Sequence, residues 1–163
     1  MSMPSSAYLT SLLVKTGLFS NEQITRIISE GGTSVVGLIQ AVKNLGNISE
    51  GDFLKALAKV MNLQYKDIDN VEVPKEVLEK IPPHAVFQYN VLPLSFTGNS
   101  LEVAASDPFD VHLVDALRLA AGCRVRIVLS PPEKIAEKVK TLYGVGADTV
   151  DRLMKEGRFE DLA

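Results

Sequence analysis

Apolar positions recur at helical spacing over the first sixty residues and switch to a strand rhythm near residue 91. From Ala7 to Thr16, Leu9, Leu12 and Leu13 share one helix face, and Gly17 follows where a helix C-terminus favours glycine. Ile24, Ile27 and Ile28 predict a second helix from about Asn21 to Glu30, stopped by Gly31-Gly32. Ser34 caps a third, whose stripe is Val35, Leu38, Ile39 and Val42 and whose end is Gly46. A fourth spans Glu50 to Met61 and presents Phe53, Leu54, Leu57, Val60 and Met61 to a core.

One helix start is used twice. Gly17-Leu18-Phe19-Ser20-Asn21-Glu22-Gln23-Ile24 returns 29 positions later as Gly46-Asn47-Ile48-Ser49-Glu50-Gly51-Asp52-Phe53. Each copy places a serine at the N-cap, where its hydroxyl accepts from a free backbone amide. Gln23 completes a capping box and Asp52 a weaker one, while Phe19/Ile24 and Ile48/Phe53 are spaced as hydrophobic staples.

Beyond the helices, Leu63 to Val73 is rich in Asp and Asn and reads as a short strand or an extended connector, with a domain boundary near residue 70. Pro74 opens a helix carrying Val77, Leu78 and Ile81, and Pro82-Pro83 separates it from a helical His84 to Tyr89. Val91 to Phe96 and Leu101 to Ala105 read as a hairpin with three or four loop residues around Thr97-Gly98-Asn99-Ser100. Asp107-Pro108-Phe109-Asp110 predicts the start of a helix to about Ala121, with Val111, Val114 and Leu117 inward. Arg124 to Leu129 alternates as a half-buried strand. Ser130-Pro131-Pro132-Glu133 then starts a helix packed through Ile135, Val139 and Leu142 and expected to end at Gly144. From Val145 the reading is a linker leading into a short helix around Thr149 to Lys155. The expected fold is α+β: a four-helix unit over residues 1–70, a small ββαβα sheet-and-helix unit over 71–144, and a linker over 145–163.

Composition narrows the function. With 46% hydrophobic residues the chain is globular, and a net charge of -3 with acids and bases interspersed provides no basic stripe for nucleic acid. The single cysteine, Cys123, excludes a disulfide within the chain and favours a reducing compartment. No apolar run reaches the length of a membrane span, and no signal peptide is recognisable, so a cytoplasmic location is expected.

Tests for catalytic chemistry return little. The nearest approach to a phosphate-binding GxxxxGK[ST] loop, Gly32 to Gly37, is followed by Leu38-Ile39 in place of lysine and a hydroxyl. His84 and His112 have no ligand partner at helical spacing, Asp107 and Asp110 suit a helix start, and no serine occupies a G-x-S-x-G elbow. Neither a metal nor a cofactor is expected in this chain. Arg118, Arg124 and Arg126 form either a modest basic patch or a solvated face.

The helix start Gly-Leu-Phe-Ser-Asn-Glu-Gln-Ile, the passage Val103-Ala104-Ala105-Ser106-Asp107-Pro108, Leu117-Arg118 through Gly122 to Val128, and Leu142-Tyr143-Gly144 together resemble one family. It is the N-terminal region of the traffic ATPases of bacterial type II secretion and type IV pilus assembly, over about residues 8 to 150. The resemblance implies a domain that docks the ATPase on the cytoplasmic part of an inner-membrane platform protein, peripheral to that membrane. It also implies a separate motor domain, to which ATP and Mg would belong and toward which the linker would run. Leu9, Leu12, Leu18 and Phe19 are the expected partner-binding apolars.

A branch of that family binds cyclic di-GMP through two motifs of the form R-L-G-x-x-L-[LV]-x-x-G-x-I, followed by L-x-x-x-L-x-x-Q. Aligning Gly17 on the later glycine places Leu9, Leu13, Val14 and Ile24 in the motif, but Tyr8 stands for arginine, Thr10 for the first glycine and Gly31 for the final glutamine. In the second copy Gly46, Ile48 and Leu57 fit, whereas Gly37 stands for arginine and Ile39 for the first glycine. The alternative nucleotide-binding set is therefore Leu9, Leu13, Val14, Gly17 and Gly46.

Overall fold

The computed structural model describes the backbone of residues 5–155 and the side chains of 5–143. The N-terminal helices are α1 (Ser6–Thr16), α2 (Asn21–Gly31), α3 (Val35–Leu45) and α4 (Glu50–Val60). Adding 29 to the limits of α1 and α2 gives the limits of α3 and α4, so the repeat is a whole helix pair and not only a helix start. Ser5, Ser20, Ser34 and Ser49 cap the four helices, each hydroxyl accepting from the amide three residues on. The capping box at Ser20 and Gln23 is complete. Gly17 and Gly46 end α1 and α3 in the left-handed conformation at φ 70° and 74°.

The pairs join through a glycine contact. A Cβ placed on Gly31 would lie 2.8 Å from the Gly37 carbonyl oxygen, and one on Gly37 would collide with the Gly31 carbonyl. The last turn of α2 and the first turn of α3 therefore touch backbone to backbone, at an approach only glycine permits.

The second half comprises β1 (Gln64–Tyr65), α5 (Lys75–Leu78), α6 (Pro83–Tyr89), β2 (Val91–Thr97), β3 (Ser100–Ala105), α7 (Leu113–Ala121), β4 (Arg124–Leu129) and α8 (Pro132–Lys155). The sheet order is β1-β4-β3-β2, with β2 and β3 antiparallel and β4 parallel to both β3 and β1. The α+β class expected from the sequence is the class observed, with a fourth strand at the edge. Of the two readings open for Leu63 to Val73, the strand is realised at Gln64–Tyr65. It lies within the stretch assigned to the helical unit.

Besides α5, which ends at Leu78 and leaves Ile81 beyond it, three boundaries differ from expectation. The hairpin loop is two residues, because Thr97 pairs with Ser100 and Gly98 supplies the positive φ of 63° that a tight hairpin turn requires. The helix expected from Asp107 begins only at Leu113. Asp107 Oδ1 accepts from the Phe109 amide and Asp110 Oδ1 from the His112 amide, two local turns that hold 107–112 out of the helix. Val111, expected inward, is 69% exposed as a result. Finally, α8 does not stop at Gly144 but runs to Lys155. Each interior glycine costs a helix only about 1 kcal/mol relative to alanine, and no proline follows to break it. Residues 156–163 of the expected linker lie outside the described residues.

Two cores result. One gathers Ile81, Val86, Leu92, Leu101, Leu117 and Ile135 between the sheet and its helices. The other gathers Leu9, Leu13, Ile27, Leu38, Phe53 and Leu57 among α1–α4, and is completed by Phe109 and Leu129 from the α/β half. A buried carboxylate, Glu102 on β3, fixes the seam. It receives Lys66 Nζ at 3.0 Å and the Arg126 guanidinium, which also donates to Gln64 Oε1 at 2.9 Å. Ser130 Oγ donates to the Lys66 carbonyl at 2.8 Å.

The glycine crossing makes a stability prediction. Gly37→Ala is expected to destabilise by about 2–3 kcal/mol through forced separation of α2 and α3. Gly46→Ala, with nothing within 4 Å of the new methyl, should cost only the left-handed penalty of about 1–2 kcal/mol. Urea unfolding followed by circular dichroism ranks the two; equal midpoints would contradict the crossing.

Candidate functional site

The sequence-predicted partner set divides when placed on the structure. Leu9 and Leu12 are buried in the helical core at 1% and 5% exposure and do not form a docking surface. They are on the inward arc of α1 because four short helices need every leucine of that face to close a core. Phe19 is partly buried and meets Phe53 edge-on, ring centroids 6.1 Å apart. Leu18 alone of the four is exposed.

The exposed apolars of this region are Tyr8, Val14 and Leu18. At 100° per residue, Tyr8, Ser11 and Val14 lie within an arc of about 120° opposite Leu9, Leu12 and Leu13, and Leu18 follows the helix end. Lys15 is the only charged residue of α1, whereas α2 carries Glu22, Arg26 and Glu30. Thus α1 is apolar inside and largely uncharged outside. Sequence reasoning left Tyr8 out of the exposed apolar set; the signal was this lack of charge around the whole helix.

In the nucleotide-motif set, Leu9 and Leu13 are buried, Val14 is exposed, and Gly17 and Gly46 serve as left-handed caps. The motif's arginine positions fare differently. Tyr8 occupies an exposed site on α1. Gly37 has no room for any side chain, because the Gly31 carbonyl fills the position of a Cβ. Arginine at 37 is sterically incompatible with this backbone.

Elsewhere, Arg126 is engaged by Glu102 and Gln64, and Arg118 lies 3.6 Å from Asp115, leaving Arg124 as the exposed remainder of the expected basic patch. His112 is exposed, His84 and Cys123 half-buried. Among the described residues no group of three or more His, Cys, Asp or Glu converges as a metal site. No described helix is long and apolar enough to cross a membrane.

A cleft of about 390 Å³ separates the start of α4 from β1 and the start of α8, lined by Ser49, Gly51, Tyr65 and a set of acids. Burial, then Asp67, Glu50, Asp69 and Asp52, push the Tyr65 hydroxyl above its ordinary pKa. A second cleft of about 310 Å³ lies where α5 and α6 meet α8, walled by Leu78, Ile81, Pro82, Pro83, Leu142 and Tyr143. There Tyr143 Oη donates to the Leu78 carbonyl at 2.8 Å, and burial drives its pKa well upward.

Against this geometry the comparisons are specific. The MshEN domain family matches residues 61–149, from the residue that ends α4 into α8. The chain belongs to the MshEN domain family. Its helical half is matched in longer alignments. The type IV pilus assembly ATPase PilB of Myxococcus xanthus is 25% identical over 138 residues, covering 85% of this chain and 24% of PilB. The type II secretion system protein E of Xanthomonas campestris is 25% identical over 126 residues, covering 75% of this chain and 22% of that protein. The chain thus spans about a quarter of the length of these relatives.

Among solved structures, MshE with cdg aligns at a TM-score of 0.69 and 23% identity, over 82% of this chain and 96% of that one. The N-terminal domain of XpsE aligns at 0.64 and 22%, over 88% and 100%. At these identities the likeness establishes the fold. The resemblance to secretion and pilus ATPase N-terminal regions expected from the sequence is shown by the family match and these relatives, and the fold is that of the XpsE N-terminal domain.

Tyr143 gives a pH prediction for the α5–α8 cleft. Its folded-state pKa lies above its unfolded value of 10.0, so its contribution is whole below pH 10 and is lost progressively as pH rises from there through the folded-state value. Tyr143→Phe should cost about 1 kcal/mol at neutral pH and flatten the decline between pH 10 and 11. Unfolding midpoints measured across that range check both effects.

Proposed function

We propose that this MshEN chain is the non-catalytic docking and regulatory domain of a type II secretion or type IV pilus assembly ATPase. It binds the cytoplasmic part of an inner-membrane platform protein and is held at that membrane through its partner. ATP and Mg belong to the motor domain of the same ATPase, and α8 is the segment that leads toward it. The observation that carries the docking reading is the outer face of α1, where Tyr8 and Val14 are exposed on a helix with a single charge and Leu18 is exposed just past its end. A surface helix with apolar residues on both sides is the mark of a helix that expects a second partner. The family membership supplies the machine, and the PilB and type II protein E alignments support the position of this domain in it.

The face is tested by Val14→Asp with Leu18→Asp. Affinity for the cytoplasmic domain of the cognate platform protein should fall by at least about tenfold, as for a disrupted apolar anchor. The melting temperature should move by no more than about 4 °C, since neither side chain is in the core. Unchanged affinity by surface-immobilised titration would remove this surface from the reading.

Cyclic di-GMP binding is the second reading, favoured by the fold shared with a structure of MshE with cdg. Tyr8 and Gly37 argue against it, because neither supplies the planar fork with which arginine grips guanine or phosphate. Calorimetry with high-micromolar cyclic di-GMP should show no saturable heat; a saturable isotherm would establish the second reading.

A further inference from the structure

Two adjoining clefts lie between the two halves of the molecule and together form a trough lined in common by Glu50 and Glu133. The 390 Å³ cleft is bounded by Glu50 at the start of α4, Asp67 and Asp69 after β1, and Glu133, Lys134 and Glu137 on α8. Glu50 and Glu133 also line an adjoining trough of about 210 Å³, whose other walls are Val36, Ile39, Lys43, Pro132 and Ala136. Together the two hold five carboxylates against two lysines. The trough thus carries a net charge as large as that of the whole chain, which is -3.

The ordinary structural roles of acids account for part of this set. Glu50 and Glu133 sit in the first turns of α4 and α8, where a carboxylate favours the helix dipole. Glu50 is also 3.3 Å from Lys43, and Asp69 is 3.1 Å from Lys134. Asp67 Oδ1 accepts from the Asp69 amide at 2.9 Å in a local turn, and Glu137 is in neither a helix start nor an ion pair among the described residues. The negative field registers on the groups inside it: Lys134 is held charged by Asp69 first, with Glu137 and Asp67 adding to it. At the other end Val36 is 62% exposed and faces the trough beside Ile39 and Ala136.

We propose that this trough is a docking groove for a peptide segment of a partner protein, one that places lysine or arginine among the carboxylates and apolar side chains against Val36 and Ile39. Charge complementarity selects that occupant. Residues 156–163 of the sequence, Glu-Gly-Arg-Phe-Glu-Asp-Leu-Ala, hold three acids and one base and so lack that complementarity. Among the described residues the acids do not converge as a metal site. A groove between two packed units is also where ligand sites preferentially form. The proposal is independent of the α1 reading, with which it shares no residue.

The test is titration of the isotopically labelled full chain with a short Lys/Leu peptide and its Glu/Leu counterpart of equal length, read by amide chemical shifts. The Lys/Leu peptide is expected to move Ser49, Gly51, Asp67 and Glu133 to Glu137 saturably, and the Glu/Leu peptide to leave them still. Glu133→Gln with Glu137→Gln should weaken binding about tenfold, and Glu137→Gln alone measurably, as loss of close charge pairs does. Glu22→Gln with Glu76→Gln, an equal charge change on exposed first turns of α2 and α5, should have no effect. Equal weakening by both pairs would reduce the effect to net charge and overturn the groove. So would shifts centred elsewhere, no saturable binding, or shifts of the trough amides with protein concentration alone, which would make the occupant a second copy.

Discussion

The pairing of Gln64-Tyr65 with Val128-Leu129 is the joint on which the architecture depends. A two-residue ladder is too short to hold by itself, since isolated strand pairs are marginal even when longer. It is held because three other constraints converge on it. Glu102 ties Lys66 and Arg126 across the sheet face, Ser130 fixes the Lys66 carbonyl, and the side chains beside the joint are divided between two cores. Val128 faces the sheet core while the next residue, Leu129, faces the helical one, as the alternation of a strand dictates. The end of β4 therefore gives one side chain to the sheet core and the next to the floor of the helical half.

This division explains why the helical half is not closed by its own residues. Phe109 reaches it from a loop whose two aspartates bend the backbone in place of starting a helix. Burying one aromatic side chain is worth roughly 1.5–3 kcal/mol, comparable to the few contacts that helices of eleven residues can spare. The helix pairs and the sheet are thereby coupled through packing, and any surface that spans them, such as the acidic trough, is shaped by both.

Much of this was legible in the sequence. Serine caps, terminal glycines and apolar stripes act within a few residues, so α1 to α4 and the core side chains Leu38, Phe53 and Leu57 followed from local rules. What the sequence hid was non-local. Asp107-Pro108-Phe109-Asp110 has the local chemistry of a helix start, but its two aspartates close local turns and Phe109 packs into the helical core. Leu9 and Leu12 could be either glue or docking face until the opposite arc of α1 was seen to carry Tyr8 and Val14 outward. The glycines of α8 looked like a stop because their cost is local, while the helix that absorbs it is long. The contact of Gly31 with Gly37 had no local signature at all, since each glycine makes sense only when the other is in place.

That contact also constrains how the chain can change. A side chain at either position requires the two helices to move apart first, so the tight crossing and a motif carrying arginine at 37 are alternative solutions for the same space. A single codon change cannot convert one into the other without an intermediate that is strained. The two glycines are therefore expected to vary together among descendants of this sequence, and a lineage that fixed both would have closed a route back that remains open at Tyr8.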